Sequence, residues 1–102
     1  MAKLIAMYRT PQDKTAFDRY YRETHVPLAK KIPGLRKYEI SRGGIDTPGG
    51  PADYHLLAIL HFDSLDAIRS ALGSPEGKAA AGDIANFADG GADLYFFDEE
   101  TL

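Results

Sequence analysis

A chain of 102 residues, 44% hydrophobic and 26% charged, fills one domain with one core and leaves no length for a second domain or a large enclosed cavity. Its net charge of −3 offers no basic field to nucleic acid or an anionic membrane, and the absence of cysteine excludes disulfides, a thiolate nucleophile and a cysteine-ligated zinc site. Residues 1–6 lack the charged head and long apolar segment of a signal peptide, and no run approaches the roughly 18 apolar residues of a membrane span. A soluble, cytoplasmic single domain over 1–102 is the expectation.

Residues 3–9 suit a first strand, ended by Thr10-Pro11. Asp13 is placed to cap a helix by accepting from the free amides of its first turn. On a helical wheel Phe17, Tyr21, Thr24 and Leu28 make one core-facing stripe, with Tyr20 and His25 flanking it on opposite sides. Asp18/Arg22 and Arg19/Glu23 stand four apart on what should be a solvated face. Pro27 has no amide proton and disfavours helical angles at Val26, so the helix should kink or restart there and free the Glu23 carbonyl near His25.

Pro33-Gly34 then turns the chain into a second strand over 35–42. Gly43-Gly44 and Pro48-Gly49-Gly50-Pro51 mark a long connection without helix or strand. The strongest strand signal is 54–62, nearly continuous in apolar residues and so central in its sheet. Ser64 opens a second helix that Gly73 stops; Ser74-Pro75 restarts it towards Phe87 as N-cap and first-turn proline. Gly90-Gly91 leads into a last strand over 92–98. The order β-α-β-β-α-β predicts an α+β, ferredoxin-like plait: a four-stranded antiparallel sheet with both helices on one face. Apolar residues occur at both parities of the third and last strands, so the uncovered sheet face predicts a homodimer packed sheet on sheet.

Chemistry is sparse. His25, His55 and His61 lack metal-ligand spacing; the last two share a parity on one strand, where six residues would hold them about 20 Å apart, so no metal is expected. The glycine pairs match no phosphate loop and no serine elbow is present. Lys30-Lys31 and Arg36-Lys37 read as a solvated rim, Asp98-Glu99-Glu100 as a frayed acidic tail, and His61 as a satisfied structural residue. That leaves His25, whose ordinary pKa of about 6.5 suits an acid or base at cell pH. It either caps carbonyls released at Pro27 or does proton chemistry in a groove between the first helix and the sheet, with its ring partly exposed. Phe17, Tyr20 and Tyr21, with Tyr8 from the first strand, are the candidate substrate contacts. Tyr38, Tyr54 and Tyr95 are further phenolic donors.

The run Phe17-x-x-Tyr20-Tyr21-x-x-x-His25-x-Pro27-Leu28, then Pro33-Gly34-Leu35, Ser74-Pro75-Glu76-Gly77 and Asp83-x-x-x-Phe87, resembles the EthD-like family of the dimeric α/β-barrel superfamily. The resemblance implies the plait and a dimer whose two sheets form a barrel. It implies a link to degradation of ethyl tert-butyl ether alongside an oxidising system, or lyase, isomerase, cyclase or oxidoreductase-associated chemistry without a cofactor on a small apolar or aromatic compound. The helix histidine of the family falls on His25 and the helix acid on Asp83, and the His25 ring is expected within reach of a tyrosine hydroxyl or of a carboxylate such as Asp83. A non-catalytic ligand-binding or accessory protein serving a partner oxygenase is the other reading.

Overall fold

Along β1 (Ala2–Arg9), Ala2, Leu4, Ala6 and Tyr8 alternate with Lys3, Ile5, Met7 and Arg9, and only the first set is buried. That period-two pattern commits one face of the sheet to the core. The computed structural model describes residues 1–102. After β1 come α1 (Lys14–Tyr20), a π-helical turn (Tyr21–His25), α2 (Val26–Ala29), β2 (Lys37–Ile40), the short β3 (Asp46–Thr47) and β4 (Gly50–Pro51), and β5 (Tyr54–Phe62). They are followed by α3 (Leu65–Gly73), α4 (Pro75–Asp83), a 3₁₀ turn (Ile84–Asn86) and β6 (Ala92–Asp98).

The four long strands form one antiparallel sheet in the order β2-β5-β1-β6. Sequential βαβ units interleaved this way make the ferredoxin-like plait, as the element order predicts. Leu56, Ala58, Leu60 and Phe62 of β5 join the buried side of β1 beneath Phe17, Ile68, Ala71 and Ala80 of the helices. The caps follow the sequence: Asp13 accepts from the Ala16 amide, Ser64 from Ala67 and Ser74 from Gly77, each at 3.0 Å. Gly77 is needed for a second reason, because a Cβ there would lie 1.9 Å from the Ala71 carbonyl oxygen where α3 meets α4. No helix is long and apolar enough to cross a membrane.

Several expectations are corrected. The 43–51 connection carries a minimal hairpin, β3 with β4, closed by the Thr47 hydroxyl donating to the Gly50 carbonyl at 2.7 Å. The second strand is shorter than 35–42. Arg36 and Lys37 are exposed, as a solvated rim requires, and also meet Asp63 at 2.7 Å and Glu39 at 3.3 Å. The acidic tail is tied down at Glu99, whose carboxylate meets Lys3 at 2.9 Å and whose amide donates to the Met1 carbonyl at 3.1 Å. Asp18/Arg22 and Arg19/Glu23 form no ion pairs; Asp18 turns to His55 instead, at 2.7 Å.

The face away from the helices presents Ile5, Met7, Leu57 and Ile59, with Tyr95 and Phe97 of β6 opposite Ile5 and Lys3. Phe97 thus belongs to the open face, whereas Phe96 lies opposite Leu4 on the helix side; both are more than two-fifths exposed.

Candidate functional site

At Pro27 the helix restarts, through a π-helical turn. In a regular α-helix the proline ring would collide with the Glu23 carbonyl. Here the preceding turn widens, the Val26 amide donates five residues back to Tyr21, and Pro27 takes the first turn of α2. The consequence is a change of register. Every fourth residue of a straight α-helix drifts around the axis; the extra residue of the π turn cancels the drift. The buried line is therefore Phe17, Tyr21, His25 and Ala29, and Thr24 is exposed rather than part of the core stripe. Such turns recur at functional sites because they re-aim side chains.

Tyr20 and His25, expected on opposite sides of the stripe, converge on one carboxylate. Tyr20 Oη donates to Asp83 Oδ1 at 2.6 Å, Asn86 Nδ2 donates to the same oxygen at 3.0 Å, and His25 Nδ1 lies 3.0 Å from Oδ2. Asp83 reaches this point from the C-terminal end of α4, and Asn86 one turn later. His25 is 5% exposed and Asp83 7%, so the expectation of a partly exposed ring is corrected: π-turn register drives it into the core. Its ring packs 4.8 Å from that of Phe87 and 5.2 Å from that of Tyr21, centroid to centroid.

Burial lowers the His25 pKa from its usual value, against the opposing pull of the Asp83 hydrogen bond and charge. Burial acts to raise Asp83, but the bonds from Tyr20, Asn86 and His25 outweigh it and hold the carboxyl below the usual carboxylate range. At neutral pH the pair is thus carboxylate and neutral imidazole. An ionised carboxylate only accepts, so Nδ1 carries the proton and the lone pair is on Nε2. The ring lines a cavity of about 40 Å³ with Tyr8, Tyr21, Tyr38, Ala80 and Leu94. That volume holds a few waters at most, and it reaches the surface where Leu94 is 43% exposed.

Of the four candidate substrate contacts, Tyr8 and Tyr21 line this cavity. Phe17 stands behind them, ring centroids 5.6 and 5.9 Å away, and Tyr20 is engaged by Asp83. The hydroxyls of Tyr21 and Tyr38 meet at 2.5 Å; burial raises both pKa values, as it does that of Tyr8. Asn86 escaped sequence reasoning, although its place three residues after Asp83 was a signal for a local side-chain bond. Beyond Tyr21 lies a wider cleft of about 460 Å³ between α1, the 41–52 segment and the start of β5.

The three histidines each find a different carboxylate, His25 with Asp83, His55 with Asp18 and His61 with Glu39. His55 and His61 do not share a face. A register shift at Tyr8/Arg9 opposes Arg9 to Tyr54, and His55 turns to the helix side, 5.0 Å from the Phe17 ring centroid. No three histidine, aspartate or glutamate side chains come together as a metal site requires.

The EthD domain family model matches residues 9–91. A Rhodococcus erythropolis protein, described as an uncharacterized 11.0 kDa protein in the thcB-thcC intergenic region, is 41% identical over 103 residues, covering 100% of this chain and 98% of its own. The crystal structure of an ethyl tert-butyl ether degradation (EthD) family protein from Bacillus halodurans C-125 superposes with a TM-score of 0.89 at 38% identity, over 98% of this chain and 99% of that one. SnoaB, a cofactor-independent oxygenase from Streptomyces nogalater, shares the fold with a TM-score of 0.67 at 17% identity, over 99% of this chain and 94% of that one. A ferredoxin-like protein of unknown function from Bacteroides fragilis, described as dimeric, superposes at 0.65 with 22% identity, over 96% and 95%.

Proposed function

The chain belongs to the EthD family, and from that premise we propose that it is a cofactor-independent acid/base enzyme acting on a small apolar or aromatic compound. The observation that carries this reading is the buried His25–Asp83 pair, 3.0 Å apart, with the His25 ring on the wall of a mostly apolar cavity. His25 takes a proton from an acidic C–H or O–H of the compound through Nε2. Asp83, held by Tyr20 and Asn86, fixes the tautomer and stabilises the imidazolium that forms, and His25 returns the proton to another atom of the same molecule. Such a shuttle serves an isomerase, cyclase or lyase without a metal or organic cofactor. The fold it shares with a protein described as a cofactor-independent oxygenase supports that class.

The 40 Å³ of the cavity favours a second reading, a ligand-binding or accessory protein for an oxygenase, in which His25 and Asp83 only hold α1 and α4 together. The two readings part on hydrogen exchange in D2O. A panel of phenols, hydroxyketones and 1,3-diketones is incubated with the protein and followed by proton NMR. The enzyme reading expects accelerated exchange of an acidic C–H in at least one compound; binding without any acceleration supports the second.

We further propose that the protein works as a homodimer through the open sheet faces, which would cover Ile5, Met7, Leu57, Ile59 and Phe97. Light scattering should give about twice the 11.2 kDa chain mass. Phe97→Lys, which puts a charge in that apolar face, should give monomer or aggregate; an unchanged dimer would refute this interface.

A further inference from the structure

The cleft on the far side of Tyr21 has a chemistry of its own. Lys14, Arg22 and Arg42 line it, from two chain segments that only the fold brings together. Five of the twelve lysines and arginines of the chain sit in ion pairs, Lys3, Arg9, Arg36, Lys37 and Arg69. None of the three cleft cations does. Of the three arginines without an ion pair, Arg19, Arg22 and Arg42, two are in the cleft. The reason is visible for Arg22. Its i−4 neighbour Asp18 is drawn away by the bulged His55, 2.7 Å distant. Asp18 is also the one carboxylate lining the cleft, so the wall keeps a surplus of positive charge on a chain of net charge −3.

Apolar side chains line the cleft too, among them Tyr21, Ile40 and Leu56. A cleft of about 460 Å³ is of the size that takes a small organic molecule. Guanidinium groups match a planar carboxylate through paired N–H donors better than they match a point charge. We propose that this cleft is a binding site for a small carboxylate with an apolar or aromatic body, its carboxylate held by Arg22 and Arg42 with Lys14 beside them. It is distinct from the His25 cavity, and the inference does not depend on the proton chemistry proposed there.

Benzoate tests it, with benzamide as the neutral counterpart of the same shape and inorganic phosphate as an anion without an apolar body. Amide shifts of the full-length protein are followed by NMR during titration with each. Benzoate should saturate, with shifts concentrated in residues 14–22, 40–45 and 51–56; benzamide and phosphate should bind at least about tenfold more weakly. Arg22→Ala with Arg42→Ala should weaken benzoate by about tenfold or more without lowering Tm, since both side chains are exposed and unpaired. Gly44→Leu is the second variant. Gly44 lines the cleft and a Cβ there meets nothing within 4 Å, so the leucine folds into open space and should block benzoate while leaving all three cations in place. Failure of benzoate to saturate would overturn the site. So would equal binding of benzamide or phosphate, or wild-type affinity in both variants.

Discussion

Tyr21 lines two hollows that differ in size, polarity and charge. On one side, about 40 Å³ are bounded by mostly apolar walls that include the neutral imidazole of His25, with the ionised Asp83 carboxylate behind the ring. On the other, about 460 Å³ are lined by three cations without ion pairs. The contrast is instructive because Coulombic effects scale with local polarity. A proton-transfer pair gains from a small, mostly apolar surround, where a nearby charge is less screened than in water. Capture of an anion from solution needs reach and a net field, which hydrated arginines supply. On the two proposals, one aromatic side chain divides the region assigned to proton transfer from the region assigned to recognition of an anion.

The largest effect that would sharpen this comparison is a separation of function. His25→Ala should reduce any proton exchange the protein catalyses by about 10²–10⁴, with a stability cost held to about 1–2 kcal/mol and benzoate affinity unchanged. Arg22→Ala with Arg42→Ala should do the reverse. Both variants moving both readouts together would merge the two hollows into one site. Asp83→Asn comes next: the amide keeps the shape and loses the charge that stabilises the imidazolium, so exchange should fall by about 10². Combined with His25→Ala it should add little further, because the two side chains act as one unit.

A smaller effect should appear in stability against pH. The folded-state pKa of His25 is lowered, so the unfolded chain binds its proton more readily. The stabilisation is complete above the unfolded value of about 6.5 and is lost as pH falls through it towards the folded value. Thermal unfolding followed from pH 7.5 down to pH 5 should show a downward slope that is reduced in His25→Gln. His55 and His61 remain in both proteins, so the difference isolates His25. An equal slope in the two would contradict a buried neutral imidazole.

How much of this could be read from the chain depended on the range of the interaction. The caps at Asp13, Ser64 and Ser74, the presence of β1 and the bounds of β5 and β6 were legible because each rests on residues a few positions apart. The π turn was half legible: Pro27 announced a disturbance, but its form depends on the core accepting His25 in place of Thr24, which is settled by packing against Phe87 and Tyr21. The bulge that turns His55 inwards breaks a parity argument that holds only for regular strands. Asp83 came from the family resemblance alone, since 58 residues separate it from His25 and no local rule spans that gap. The cationic cleft was illegible for the same reason. Arg22 looked paired with Asp18 until the bulge supplied Asp18 with another partner.

The tautomer and titration of His25 test the central claim most directly. With imidazole nitrogens labelled with ¹⁵N, the long-range proton–nitrogen spectrum distinguishes the protonated ring nitrogen from the bare one. The account predicts that at pH 7.5 Nδ1 carries the proton and Nε2 is bare, that the ring titrates below the ordinary histidine value, and that Asp83→Asn changes the tautomer balance. A proton on Nε2 at pH 7.5, or a ring already charged there, would contradict it.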